Sequence, residues 1–149
     1  MADHQWGFRT RALHAGGQPD PTTGARAVPI YQSTSFVFDG VADAADLFAL
    51  QKYGTIYTRI SNPTTAAFEE RMASLEGGIG AVATASGQAA EFLTALALAE
   101  QGTNLVASSA LYGGTHTMFE TTLGRLGIEA RFVDGDDPDA FGASIDGDT

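Results

Sequence analysis

Three groups of residues in this chain could do chemistry. Ser86-Gly87-Gln88 joins an apolar stretch, Ala81-Val82-Ala83-Thr84-Ala85, to a helix-forming stretch that opens with Ala89-Ala90. As strand, tight turn and helix start, this join leaves unpaired backbone N–H groups at the strand's C-terminal end. Those donors and the helix dipole both favour an anion there. Gly87 lacks a Cβ, so the backbone can approach the anion closely. The same join with one glycine is also the ordinary connection of any α/β protein, and by itself the stretch leaves both readings open. Tyr57 and Arg59 are the second group. If Ile56 to Ile60 are extended, the phenol and the guanidinium point to one side. Arginine's planar fork suits a phosphate, and a plain surface Tyr–Arg pair is the alternative. The third is Tyr112, just after the apolar run Asn104 to Ser109, where a ring could lie flat against a planar ligand.

These residues need elements to position them. Asn62-Pro63 reads as N-cap and first helical residue, with Phe68, Met72 and Leu75 as one helical stripe and Gly77-Gly78 as the stop. Asp43 to Lys52 reads as a short amphipathic helix with Leu47, Phe48 and Leu50 as its apolar face. Ala81 to Ala85 reads as a strand buried on both faces. The helix from Ala89 to Gln101 is apolar nearly all round and is expected to be buried. Asn104 to Ser109 is a second strand, about Thr115 to Arg125 a third helix ended by Gly127, and Ile128 to Val133 a third strand. The order βαβαβ predicts a parallel sheet with ligands at the strands' carboxyl ends. Residues 1–40 show no clear period. Within them Gly16 to Gly24 is a turn-rich loop and Val28 to Phe38 is extended in character. A short helix is expected around Pro138 to Ile145.

Composition narrows the function classes. The chain has 149 residues, a net charge of −10, no cysteine and three scattered histidines, His4, His14 and His116. The charge argues against a nucleic-acid surface. Neither a disulfide framework nor a thiolate metal site is possible, and a structural zinc site is not expected. No apolar run resembles a signal peptide or membrane span, and the polar start from Met1 to Trp6 fits a cytoplasmic protein. A three-stranded parallel sheet would be small and would expose apolar edges, so the sequence reads as the front part of a longer protein. There is neither a Gly-x-Gly-x-x-Gly nor a Walker lysine motif for a nucleotide-binding domain.

Several stretches taken together resemble one family. They are Ala27-Val28-Pro29-Ile30-Tyr31-Gln32-Ser33-Thr34, Tyr57-Thr58-Arg59-Ile60-Ser61-Asn62-Pro63-Thr64, Leu75-Glu76-Gly77-Gly78, Ala85-Ser86-Gly87-Gln88-Ala89 and Leu111-Tyr112-Gly113-Gly114-Thr115. The chain from about Thr10 onward is similar to the pyridoxal 5'-phosphate (PLP) enzymes of cysteine and methionine metabolism. Asp20 to Tyr31 and Leu47 to Gln51 resemble the subgroup that acts on O-acetylhomoserine with sulfide.

The resemblance implies a fold type I PLP-dependent transferase, α/β in class. Residues 1–60 would be an N-terminal oligomerisation arm, and residues 61–149 the front part of the mainly parallel-sheet PLP-binding domain. Tyr57 and Arg59 would reach a neighbouring subunit's cofactor phosphate. Ser86, Gly87 and Gln88 would hold the phosphate within the subunit. Tyr112 would stack on the pyridine ring and contact the substrate, a catalytic as well as a cofactor-binding role. The implied reaction is a γ-replacement in which acetate leaves Cγ, sulfide adds and homocysteine forms. The implied partners are a small amino-acid substrate, sulfide and further copies of the chain in a dimer of dimers, without nucleic acid or membrane. The lysine that carries the cofactor lies later in family members, so Lys52, the only lysine here, is not expected to be it. These residues alone are then expected to be inactive. A β- or γ-lyase of the same family such as a methionine γ-lyase, a cystathionine-forming member of the cystathionine γ-synthase type, and a non-catalytic subunit that assembles with longer chains are the rival readings.

Overall fold

The protein is described by a computed structural model covering residues 6–149; the polar stretch 1–5, with His4, lies outside the described residues. The chain divides into two compact units, one ending at Ala83 and one beginning at Thr84.

The first unit holds three helices, α1 (Phe8–His14), α2 (Val41–Phe48) and α3 (Pro63–Glu76). Helix α3 starts and stops where its sequence says it should. Asn62 is extended, its side chain accepts from Thr64 N at 2.9 Å, Pro63 follows, and Gly77 closes the helix in the left-handed region with φ 71°. Asn62 also does more than cap. It is 5% exposed, and its Nδ2 donates to the Tyr31 carbonyl at 2.9 Å and to Thr58 Oγ1 at 3.1 Å. Thr64 Oγ1 donates to the Pro29 carbonyl at 2.8 Å and accepts from Tyr31 N at 2.9 Å. One helix start therefore fixes two irregular segments, 29–31 and 57–58.

Helix α1 lies in the segment expected to lack a period. Its seven residues are too few for a 3.6-residue repeat to stand out, and tertiary contact supports it. Arg71 Nε donates to the Ala15 carbonyl at 2.8 Å, and the Arg11 guanidinium donates to the Ser74 carbonyl. Gly16, at φ +69°, passes so close to α3 that a Cβ there would lie 2.4 Å from the Ala67 carbonyl oxygen. Helix α2 ends at Phe48, four residues before the expected Lys52. Of its expected apolar face only Leu47 is buried, while Phe48 and Leu50 are exposed. Of the expected helical stripe on α3, Phe68 is exposed and the buried residue is Ala73.

The second unit runs α4 (Gly87–Leu98), β1 (Asn104–Ser108), α5 (Gly113–Thr117), β2 (Glu129–Val133) and α6 (Pro138–Ser144). Helix α5 continues directly into a π-helical stretch, Met118–Leu123. Strands β1 and β2 pair in parallel, from Asn104 opposite Glu129 to Ser108 opposite Val133. The crossover between them is α5 with its π-helical continuation, and Leu123 at the end of that stretch and the nearby Ile128 are buried. The residues after α6 close one end of the sheet. Asn104 Nδ2 donates to Asp146 Oδ1 at 2.9 Å, Arg131 NH1 to Asp146 Oδ2 at 2.5 Å, and Asn104 N to the Asp148 carbonyl at 2.9 Å. Arg131 first, then Asn104, holds the Asp146 carboxyl well below the usual carboxylate range.

Two expectations are corrected. Ala81 to Ala85 forms no strand, so the sheet has two strands rather than three. Backbone groups form a ladder only where a neighbouring strand presents their complements. No described strand flanks this stretch, and among the described residues the one long-range hydrogen bond to its backbone is from Ala83 N to the Glu69 carboxylate at 2.7 Å. Helix α4, expected to be buried, has no buried residue, and Leu93 and Leu98 are exposed. Its all-round apolar composition is real, but no other described element covers it on all sides.

The joint role of Asn62 makes a testable statement. Asn62→Ala should destabilise the protein by about 1–3 kcal/mol, from the lost cap and two lost side-chain donations. Asn62→Asp keeps the cap acceptor but sets a carboxylate oxygen against the Tyr31 carbonyl in a buried place, so it should lose at least as much. Denaturant unfolding measures both; an Ala variant as stable as wild type would refute the account.

Candidate functional site

The start of α4 is built around Ser86. Its backbone is extended, and its Oγ accepts from Ala89 N at 3.1 Å. The first intrahelical bond is Ala90 N to the Ser86 carbonyl at 3.0 Å. Gly87 and Gln88 occupy the first two helical positions, where the N–H has no acceptor within the helix. Ser86 thus satisfies one donor and leaves two backbone N–H groups facing outward, with its own hydroxyl proton free to join them. Apart from its chain neighbours and the helix's own backbone, nothing lies within 4 Å of where a Cβ on Gly87 would sit. That open space beside unpaired donors is a cradle which a side chain would fill. It has room, donors and the positive end of a twelve-residue helix for an anion.

The Gln88 side chain ties this helix start to α5. Its Nε2 donates to Glu91 Oε2 at 3.0 Å and to Thr115 Oγ1 at 2.8 Å, and Thr115 Oγ1 donates to the same Glu91 oxygen at 2.7 Å. Thr115 is buried. The residue spacing of Glu91 and Gln88, three apart on a helix, was the only sign in the sequence of this ring of bonds; Thr115 gave none.

Tyr112 stands at the N-cap position of α5, past the end of β1, and is 76% exposed. Its ring lies against Gly114, where a Cβ would come within 2.7 Å of Tyr112 Cε1 and 3.5 Å of Gln88 Oε1. Gly114 therefore sits between the ring and the Gln88 amide, and the Ser86–Gln88 turn and Tyr112 border one place. His116, one turn on, is used structurally: its ring stacks on Phe132 with centroids 3.9 Å apart and planes at 8°.

Tyr57 and Arg59 lie together in the first unit, by a different route from the one expected. Ser35 and Tyr57 form an antiparallel bridge, and Tyr57 then begins a turn in which its carbonyl accepts from Ile60 N at 2.8 Å and Ser61 N at 2.9 Å. The segment is not a strand to Ile60. The turn brings the Arg59 guanidinium to 5.5 Å from the Tyr57 ring centroid, a cation–π contact. Both residues are exposed.

Lys52 has a partner of its own. Its ammonium is hydrogen-bonded to the Asp43 carboxylate, which raises the lysine's pKa and lowers the aspartate's. A lysine that attacks a carbonyl needs the opposite, a depressed pKa. Because α2 ends before it, Lys52 is held by Asp43 rather than by the helix dipole. Among the described residues no group of three His, Asp or Glu side chains converges to hold a metal ion, and no helix is long and apolar enough to cross a membrane.

The donor set fits part of the expected cofactor. A phosphate matches the Gly87 and Gln88 N–H groups with the Ser86 hydroxyl, and a planar ring matches the open face of Tyr112. Gly114→Ala tests the link between ring and cradle. The new Cβ must displace the tyrosine ring, so PLP affinity should fall severalfold, in line with a stacking worth roughly 0.5–1.5 kcal/mol. Stability should hold or rise, because alanine favours a helix by about 1 kcal/mol over glycine. Unchanged affinity in the Ala variant would show that the ring takes no part.

Known proteins resemble this chain over most of its length. The family model described as Cys/Met metabolism PLP-dependent enzyme matches residues 9–149. An O-acetyl-L-homoserine sulfhydrylase from Leptospira meyeri is 56% identical over 132 residues, covering 89% of this chain and 30% of that protein. One from Corynebacterium glutamicum is 52% identical over 146 residues, covering 97% of this chain and 33% of that protein. The chain thus spans about a third of the length of these relatives. Among solved structures, a Campylobacter jejuni protein described as an O-acetylhomoserine (thiol)-lyase superposes with a TM-score of 0.90 at 42% identity, over 97% of this chain and 35% of its own. That structure carries an N'-pyridoxyl-lysine-5'-monophosphate. With nearly its whole length matched, this chain belongs to the PLP-dependent enzymes of cysteine and methionine metabolism.

Proposed function

We propose that these residues are part of a PLP-dependent transferase that converts O-acetylhomoserine and sulfide to homocysteine and acetate. The observation that carries the site is the meeting of a donor-bearing helix start with an exposed tyrosine ring across Gly114. The substrate class follows the relatives named as O-acetylhomoserine sulfhydrylases at more than 50% identity.

Each residue has a role in this reading. Gly87 and Gln88 bind the cofactor phosphate through backbone N–H groups, and Ser86 adds its hydroxyl while keeping α4 capped. Tyr112 covers one face of the pyridine ring and orients it. Its Oη carries a proton that it can exchange with substrate groups beside the ring, which makes Tyr112 a catalytic residue. The cofactor, when bound, supplies an electron sink that stabilises negative charge on the substrate carbons. Lys52, held as an ammonium by Asp43, does not carry the cofactor. Residues 1–60 form an oligomerisation arm, residues 61–149 contribute to the PLP-binding domain, and the working unit is a homo-oligomer, a dimer of dimers, in the cytoplasm. Tyr57 and Arg59 serve the cofactor phosphate of a neighbouring subunit; their exposure and mutual contact support that use.

The full-length protein should release homocysteine from O-acetylhomoserine only when sulfide is supplied. Tyr112→Phe should keep cofactor affinity and slow turnover, about 10²-fold or more if its proton transfer is rate-determining. Sulfide-independent breakdown of the substrate would point to a lyase instead. For the trans role, Arg59→Ala chains would be mixed with chains inactivated at the cofactor lysine. Hybrid dimers should regain one intact site; confirmed hybrids without activity would remove Arg59 from the neighbour's site.

A further inference from the structure

We propose that Glu91 is a positioning residue: with Thr115 it clamps the start of α4 to the start of α5, and so fixes the phosphate donors relative to the Tyr112 ring. This rests on the reading of the cradle and ring as a PLP site. It goes further by assigning a role to two residues that touch neither phosphate nor ring in that reading.

The argument starts from hydrogen-bond capacity. Gln88 occupies the second position of α4, so its backbone N–H is a cradle donor while its side chain is free to point elsewhere. An unrestrained glutamine would sample many rotamers, and the terminal turn of a helix frays readily. Here the Gln88 amide is engaged twice, by Glu91 Oε2 and Thr115 Oγ1, and the third side of the triangle is the Thr115–Glu91 bond at 2.7 Å. Two of the three bonds end on a carboxylate, and bonds to a charged acceptor are roughly twice as strong as neutral ones. Thr115 is 4% exposed, so its hydroxyl cannot turn to water for a partner if the clamp is cut.

The clamp's position gives it leverage. Thr115 lies one residue beyond Gly114, the glycine that separates the Tyr112 ring from the Gln88 side chain. Tyr112, Gly114 and Thr115 share the first turn of α5, while Ser86, Gly87, Gln88 and Glu91 share the first turn and a half of α4. Holding Gln88 against Thr115 therefore holds the two loops at a set separation. A ligand with a phosphate at one end and a flat ring at the other must meet both together. Pre-setting that separation lowers the ordering cost of binding. Glu91 itself is exposed and lies on the side of α4 that borders the apolar hollow formed with Ala95, Leu105 and Phe119. Its carboxylate turns from open solvent to the Gln88–Thr115 pair.

The test uses the full-length protein and two ligands, PLP and pyridoxal, which lacks the phosphate. Dissociation constants and unfolding midpoints would be measured for wild type, Glu91→Leu, Glu91→Gln, Thr115→Val and Thr115→Ser. Wild type should prefer PLP strongly. Glu91→Leu and Thr115→Val should lose roughly tenfold of that preference, the scale of one hydrogen bond to a charged group. The variants Glu91→Gln and Thr115→Ser, which keep an acceptor or a hydroxyl, should recover most of it. A general loss of stability would lower both ligands' affinities and leave their ratio unmoved. An unchanged ratio in folded Glu91→Leu and Thr115→Val overturns the clamp while leaving the site intact. A wild-type protein without preference for PLP overturns the site, and the clamp with it.

Discussion

A helix that begins at the end of a loop leaves backbone N–H groups without acceptors, and most of this structure follows from how that debt is met. Three helices meet it with a side chain. Asn62 caps α3, Ser86 caps α4 and Asp137 caps α6. The caps differ in what remains unspent. At α3 the first position is proline, so one donor is missing from the start, and Asn62 turns its surplus donors onto Tyr31 and Thr58. At α4 the first positions are Gly87 and Gln88, and their N–H groups stay open. The same physical requirement thus yields a structural hub in one unit and a helix start with open backbone donors in the other.

The two units also bring their aromatic residues into play differently. Arg59 sits over the Tyr57 ring because a turn, not a strand, follows the Ser35–Tyr57 bridge. That contact restrains two exposed side chains against each other. Tyr112 is ordered by Gly114, whose missing Cβ gives the ring a place to lie. Its outer face stays open to solvent, and an amphipathic ring in that position offers apolar area and a hydroxyl together.

Apolar surface is left open in both units. Helix α4 exposes Leu93 and Leu98, and Val82 is exposed as well. The relatives are about three times longer than the part of them that this chain matches, and an apolar stretch such as Ala81 to Ala85 has the composition of a strand without a neighbour.

Features that depend on local chemistry were legible from residue types and spacing. Asn62-Pro63 and Gly77 marked both ends of α3, the runs at Asn104 and Ile128 marked two parallel strands, and Ser86-Gly87-Gln88 marked a helix start with donors to spare. Resemblance across five short stretches identified the family. Tertiary structure decided what depends on partners distant in the chain. Ala81 to Ala85 had the pattern of a strand but no described strand to pair with, and α4 had the composition of a buried helix but only partial cover. Helix α1 was too short to announce itself and exists by packing on α3, with Gly16 allowing the close approach. Lys52 looked like a helix-end lysine and is instead paired with Asp43. The bonds among Gln88, Glu91 and Thr115 link residues 27 apart in sequence, and no local pattern encodes a contact whose two halves meet only when α5 folds back against α4.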